Sequence, residues 1–216
     1  MTRLAVALLA VAACGEPRAG SKLPGAPASA VPVYMKGALF VGADSTLRFV
    51  ACGTTVERAL TTAPDARLAE AVTAVNGALR DSLFVEVMAD TARDEMVARE
   101  ALFATSLSDG ARCDRPREPF AWVAVGVEPF WRVTYDSAQL VLERAEPPRE
   151  VVFDAQDPVV RGTLTTIIGT RTLGKVHELK LGLLRESCRD GMSDAWYPYR
   201  AEVRAGDVAL AGCARR

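Results

Sequence analysis

Histidine, lysine and aromatic side chains are scarce in this chain of 216 residues. The one histidine is His177, and no C-x-x-C pair occurs, so the sequence lacks the ligand clusters typical of zinc sites. The formal net charge is −1 and no basic stripe is present, which argues against nucleic acid as a partner. A phosphate-binding glycine loop and a dinucleotide fingerprint are also missing. We therefore expect neither a metal nor another cofactor.

Long hydrophobic runs are missing too, apart from one at the N-terminus. Leu4 to Ala13 is ten residues long, whereas a helix that spans a bilayer needs about 20. Arg3 precedes this run and Cys14 follows it, and the pattern resembles the bacterial lipobox, whose cysteine receives a lipid. We predict that residues 1–13 are a lipoprotein signal peptide and that Cys14 anchors the chain in a membrane. The alternative is an ordinary secretory signal.

The next stretch has almost nothing to bury. Residues 14–32 are rich in Pro, Gly and Ala and show no helical or strand period, so we predict a flexible tether. Gly15 after the cysteine resembles the sorting default of the outer membrane. The expected location is the cell envelope, with the chain lipid-anchored to the outer membrane and facing the periplasm.

Four cysteines remain after Cys14. An even number in an exported chain suggests disulfides, and four cysteines allow three pairings. We favour Cys52–Cys113 and Cys188–Cys213, because each of these pairs stays within one half of the chain.

The hydrophobic periodicity predicts a mainly β protein, α+β overall, in two units. In residues 33–116 we expect a small α+β unit: a hairpin from Tyr34 to Ala51, a short third strand at Thr54 to Glu57, and one helix that opens at Pro64. Residues 117–216 contain short strand signals at a spacing of 8 to 12 residues, which is typical of a small antiparallel β-barrel.

Three fragments of the second unit carry a family resemblance. They are Gly126 to Trp131 (GVEPFW), Cys188 to Pro198 (CRDGMSDAWYP) and Gly212 to Ala214 (GCA). In order and spacing they resemble a family of uncharacterised bacterial envelope proteins with G-x-E-P-F-W, C-x-D-G-M-S-D-x-x-Y-P and G-C-A motifs. The resemblance implies an exported β-rich module with a stabilising cysteine pair, and it brings no activity with it. The first half is similar to NlpE-type outer-membrane lipoproteins, without their Cys-x-x-Cys.

The same fragments contain the candidate binding residues, because they combine aromatic rings with acidic groups. We predict that they meet at one end of the barrel and line a site for a ligand or partner. The residues of this predicted site are Glu128, Trp131, Asp190, Asp194 and Trp196. The competing interpretation is that the rings only fill the barrel and that the aspartates only form turns.

The function we expect is a non-catalytic, membrane-anchored lipoprotein that binds an envelope protein or a small ligand, or supports the envelope. One alternative is a periplasmic hydrolase that uses Ser193 and His177, although the second glycine of a nucleophile elbow is missing after Ser193. Another is an inhibitor of a lysozyme or protease, which would present a protruding rigid loop.

Overall fold

A computed structural model describes residues 31–75, 82–92, 95–107, 113–173, 175–191 and 193–216. Within these residues the chain forms sixteen strands and one helix, which confirms the predicted mainly β, α+β class. The predicted signal peptide, Cys14 and the tether up to residue 30 lie outside the described residues. No helix in the described part of the chain is long and apolar enough to cross a membrane.

The N-terminal elements form a small closed barrel. They are β1 (Val33–Val41), β2 (Leu47–Ala51), β3 (Glu57–Thr62), α1 (Leu68–Val75), β4 (Ser82–Ala92) and β5 (Glu95–Ser106). The strands follow the order β5-β3-β2-β1-β4, and β4 pairs with β5 to close the ring. Neighbours are antiparallel except β3 and β5, which run parallel. A five-stranded Greek-key barrel with this order, and with its helix between β3 and β4, has OB-fold topology. That topology alone specifies no activity.

The helix packs one side against this barrel. Leu68 and Ala71 are buried, and Val72 and Val75 pack against the same core, so apolar residues recur at helical spacing. Arg67, with a φ of 59°, precedes the helix, and its carbonyl accepts a hydrogen bond from the Ala71 amide at 3.0 Å. The described helix ends at Val75, and the remainder of the predicted helix lies outside the described residues.

The second sheet contains most of the remaining strands. They are β6 (Trp122–Val127), β7 (Phe130–Tyr135), β8 (Gln139–Arg144), β9 (Glu150–Ala155), β10 (Val159–Arg161), β11 (Leu164–Leu173), β12 (Lys175–Leu184), β15 (Tyr199–Ala205) and β16 (Val208–Arg215). All but β10 form one ring of eight antiparallel strands, in which each strand pairs with the next and β16 returns to β6. This is an up-and-down barrel, and it agrees with the predicted antiparallel barrel.

Side chains fill the body of the second barrel. Along β12, Leu179, Leu181 and Leu183 are fully buried and alternate with residues that face outward. The other strands contribute in the same way, and the resulting core includes Trp122, Trp131 and Tyr199. We call the end of this barrel that carries the β6–β7 and β15–β16 turns the upper end.

Both predicted disulfides are present. Cys52 bonds to Cys113 and Cys188 bonds to Cys213, with Cα–Cα distances of 5.5 and 5.4 Å. The first bond fixes the connection between the barrels to the end of β2. The second bond fixes the segment after β12 to the outer wall of β16.

That segment, residues 185–198, joins the two barrels, and we call it the docking segment. It forms β13 (Cys188–Arg189) and β14 (Trp196–Tyr197), and β14 pairs with Ala104 of β5, beside the part of β5 that pairs with β3. Trp196 is fully buried among the core residues of the first barrel. The Arg67 guanidinium lies over its ring at 5.4 Å and donates to the Pro198 carbonyl at 2.5 Å. The docking segment therefore completes the sheet and the core of the first barrel.

A chain of ion pairs crosses the same junction. Arg215 of β16 contacts Glu86 of β4 at 2.6 Å and Glu118 of the connection at 3.3 Å, and Glu118 contacts Arg132 of β7 at 2.5 Å. Burial alone would lower the pKa of Arg215, but the charges of Glu86 and Glu118 outweigh it and raise that pKa. Phe103 lies beneath the Arg215 guanidinium at 5.2 Å and meets Tyr197 edge-on. The junction is thus both apolar and charge-paired.

Three features differ from the expectations. The helix begins at Leu68 rather than at Pro64, because the preceding residues form a turn in which the Ala66 amide donates to the Ala63 carbonyl. The third strand begins at Glu57 rather than Thr54 and continues to Thr62, because Leu60 is the residue that enters the core. The docking segment crosses the predicted division between residues 33–116 and 117–216. Its residues lie in the second unit of the sequence, but they pack against the first barrel. Sequence patterning cannot reveal such a crossing, because it depends on contacts between distant parts of the chain.

We expect Trp196→Ala to lower the free energy of unfolding by about 3–5 kcal/mol, because it opens a cavity in the first barrel's core. The matched control is Phe130→Ala, which removes an aromatic ring that is 50% exposed and should change stability little. Chemical denaturation followed by fluorescence and circular dichroism measures both variants. A loss below about 1 kcal/mol for Trp196→Ala would show that the docking segment is only a surface contact.

Candidate functional site

Glu128 and the start of the docking segment line one depression on the outer wall of the second barrel. Its volume is about 400 Å³. Strands β6, β15 and β16 form its base, the β6–β7 turn forms one rim, and Cys188 to Gly191 form the other. Its lining residues are Val125, Gly126, Val127, Glu128, Cys188, Arg189, Asp190, Gly191, Arg200, Glu202, Ala211, Gly212 and Cys213. The fragments that contain Glu128 and Asp190 therefore lie beside each other on the outer wall of the barrel.

The rim formed by the docking segment is held by covalent and polar contacts. Cys188 is tied to Cys213 on the wall, and Asp190 accepts hydrogen bonds from the Ser193 amide at 2.9 Å and the Ser193 hydroxyl at 2.7 Å. The Asp190 carboxylate thus stabilises a turn, which is the structural role considered for it above. Asp194 does not line the depression: its side chain is 71% exposed and lies 3.7 Å from Arg189.

Trp131 lies behind the depression rather than in it, which corrects its predicted role as a lining residue. It is 1% exposed and belongs to the barrel core. A Cβ on Gly126 would lie 2.1 Å from its Nε1, and a Cβ on Gly212 would lie 2.8 Å from its ring. Because a side chain at either position would collide with the indole, the two glycines make room for Trp131.

Trp196 is likewise not a lining residue. It is fully buried in the first barrel, and its indole N–H donates to the Ser187 hydroxyl. Burial of a large ring with its polar atom satisfied is the usual arrangement of a core tryptophan. The aromatic part of the predicted site therefore belongs to the two cores, and only Glu128 and Asp190 of the five predicted residues line the depression.

Ser193 and His177 do not form the geometry of a hydrolase. The Ser193 hydroxyl donates to Asp190, and the His177 imidazole makes no hydrogen bond with any residue that the structure describes. His177 lies at the start of β12, opposite Arg171 of β11 and at the upper end of the barrel. A serine nucleophile needs its base within about 3 Å, and here its partner is a carboxylate that holds a turn.

Two carboxylates lie in the depression: Glu202 is on its base and Glu128 is on its rim. Glu128 and Glu202 have no ion pair or hydrogen-bond partner among the side chains of the described ranges. The two arginines of the lining contact acids outside it: Arg189 lies 3.7 Å from Asp194, and Arg200 lies 3.9 Å from Glu186. The depression therefore offers two carboxylates that have no ion-pair partner within the described ranges, next to apolar Val127 and Ala211.

Arg200 and Glu202 line the depression but are not among the predicted site residues. The alternation of β15 could have revealed that they face outward, because Tyr199, Ala201 and Val203 are buried between them. Their position beside Glu128 could not have been found, since it depends on the closure of β16 onto β6. Within the described ranges, no cluster of three or more His, Cys, Asp or Glu side chains could hold a metal ion.

No family model, no curated protein and no solved structure matches the chain. The resemblance of the three motif fragments to an envelope protein family therefore stays a prediction. The fold nevertheless shows what several motif residues do in the structure. Gly126 and Gly212 pack against Trp131, and Cys188 bonds to Cys213.

We expect Gly126→Ala to destabilise the protein by about 1–3 kcal/mol, since the added methyl group displaces the Trp131 indole. Gly182→Ala is the matched control: it is also a strand glycine of this barrel, and its Cβ would meet no atom closer than 3.8 Å. Thermal melting compares the two variants. Equal melting temperatures for Gly126→Ala and Gly182→Ala would contradict the packing role given to the motif.

Proposed function

We propose that this protein is a non-catalytic lipoprotein of the cell envelope that uses the depression beside Glu128 to bind a basic segment of a partner protein. The observation that carries the proposal is that Glu128 and Glu202 have no ion-pair partner among the described residues and lie beside exposed apolar Val127. A lysine or arginine of a partner would complement these charges, and apolar contact would supply affinity.

The rigidity of the depression supports binding rather than a purely structural role. Its base is barrel wall, and its outer rim is held by the Cys188–Cys213 bond and by the Asp190 turn. Sites on rigid elements lose little conformational entropy when a partner binds. The rim also continues into the part of the docking segment that packs against the first barrel.

The proposed location rests on the cysteines and on the N-terminal pattern. Two disulfides are typical of proteins in an oxidising compartment. The run that ends at Cys14 has the pattern of a lipid attachment signal, and residues 15–32 are long enough to hold the barrels away from a membrane surface.

The two alternatives receive less support. A hydrolase with Ser193 and His177 would need the two side chains in contact, and the Ser193 hydroxyl donates to Asp190 instead. An inhibitor would need a protruding loop, whereas the docking segment packs Ala195 and Trp196 against the first barrel.

The anchor is tested by Cys14→Ser. We expect this variant to lose fatty-acid labelling and to move from the membrane fraction to the soluble periplasmic fraction, because the thioether linkage needs the sulfur. Labelling with a clickable fatty acid followed by fractionation measures both effects. A variant that is still labelled and still sediments with membranes would disprove the lipid anchor.

The binding surface is tested by site-specific photo-crosslinking in the host cell. A photoreactive residue at Val127, which is 37% exposed and lines the depression, should give a discrete protein adduct. The matched control is Val152 on β9, which is 36% exposed and lies on another part of the wall. The adduct at Val127 should disappear when Glu128→Lys and Glu202→Lys are combined, because the charge complementarity is reversed.

Two outcomes of the crosslinking would contradict the proposal. One is an absence of adducts at Val127. The other is the same set of adducts at Val127 and Val152, which would indicate random collisions.

A further inference from the structure

The upper end of the second barrel opens into a second, separate cavity, which we call the mouth. Its volume is about 550 Å³, within the range of small-molecule sites. Phe153, His177, Ala205 and Gly206 form its inner part, and Glu178, Lys180 and Arg204 form its lip. It shares no lining residue with the depression beside Glu128.

Basic side chains occupy the inward-facing positions at this end. On β8, Arg144 follows buried Leu140 and Leu142 in the alternation, and on β11, Arg171 follows buried Ile167 and Gly169. His177 follows the same rule on β12, where Leu179 and Leu181 are buried. Arg171 and His177 are direct cross-strand partners, and Arg144 is paired across the strands with Trp131. The barrel that is apolar along its body thus ends in cationic groups.

Arg144, Arg171 and His177 differ from the arginines at the junction of the barrels, which have carboxylate partners. The Nε atom of Arg144 is buried and has no hydrogen-bond partner. Nor does any ion pair or side-chain hydrogen bond connect Arg144, Arg171 or His177 to a residue within the described ranges. At the junction of the barrels, by contrast, Arg132 and Arg215 each contact two carboxylates. Arg144 and Arg171 do not line the mouth, so they contribute positive charge near it rather than direct contacts with a ligand.

The lip adds two further positive charges. Lys180 and Arg204 stand directly opposite each other on β12 and β15, and neither has a partner in the part of the chain that the structure describes. Like charges directly opposite on neighbouring strands repel each other. Glu178 is the one acid in the lining, against His177, Lys180 and Arg204. An anion bound between these groups would remove the repulsion.

The geometry points to the mouth as a binding site for a ligand that carries a phosphate group. Guanidinium groups match phosphate oxygens with two parallel hydrogen bonds, and such charge-assisted bonds are among the strongest in proteins. Phe153 provides an apolar floor for the rest of the ligand. The phosphate group belongs either to a soluble molecule or to a lipid headgroup, and the two sources require different assays.

The test uses the full chain with Cys14→Ser, so that no lipid of its own attaches it to vesicles. In the first assay, inorganic phosphate is titrated at constant ionic strength against chloride, and binding is followed by calorimetry. In the second, flotation compares phosphatidylglycerol vesicles with phosphatidylcholine vesicles. Each assay is run on the parent chain, on the mouth variant Lys180→Gln with Arg204→Gln, and on the control Arg149→Gln with Arg161→Gln, two exposed arginines outside the mouth.

We expect the mouth variant to weaken binding by at least about ten-fold, the effect of losing charge-assisted hydrogen bonds, while the control variant binds like the parent. Loss in the phosphate assay identifies a soluble ligand, and loss confined to phosphatidylglycerol vesicles identifies a headgroup. Circular dichroism checks that each variant is folded. Arg204→Glu, which reverses one charge of the lining, provides a second variant that should also weaken binding.

The inference is overturned if the parent chain binds neither probe. It is also overturned if the folded variants bind as tightly as the parent chain, since the anion would then be held elsewhere.

Discussion

The insertion of Trp196 from the second barrel into the core of the first is the interaction on which the rest of the structure depends. The docking segment runs from the end of β12 to β15, adds β14 to the free part of β5, and fills the adjoining core with an indole. Arg67 at the start of the helix holds the segment from the other side. Because the Cys188–Cys213 bond fixes the same segment to β16, the two barrels share one structural element.

Because the two barrels share the docking segment, the residues of the motif fragments have different structural roles. Trp131, Gly126 and Gly212 serve the packing of the second barrel, while Trp196 serves the first. Cys188 and Asp190 shape the segment between them. What remains exposed is the depression itself, with Glu128 and Glu202 as its unpaired charges. The proposed partner site therefore depends on the docking segment, because Cys188 to Gly191 of that segment form one of its rims.

The sequence predicts the local features of this fold and fails where distant residues meet. The alternation of Leu179, Leu181 and Leu183 reports a strand with one buried face, because it depends only on neighbouring residues. The cysteine pairs were predicted correctly on the ground that each pair stays within one half of the chain. The burial of Trp196 depends on β5, about ninety residues earlier in the chain, and no local pattern encodes that contact. The same holds for the candidate site: Glu128 and Asp190 were recognisable as motif residues, whereas Glu202 joins them only through closure of the barrel.

The most direct test of the shared element is native-state hydrogen exchange in increasing denaturant. If the docking segment makes one cooperative unit of the two barrels, the slowest amides of β4 and β5 and those of β15 and β16 should exchange through the same opening, with one free energy and one denaturant dependence. Two distinct openings, in which one barrel exchanges while the other stays protected, would contradict the account.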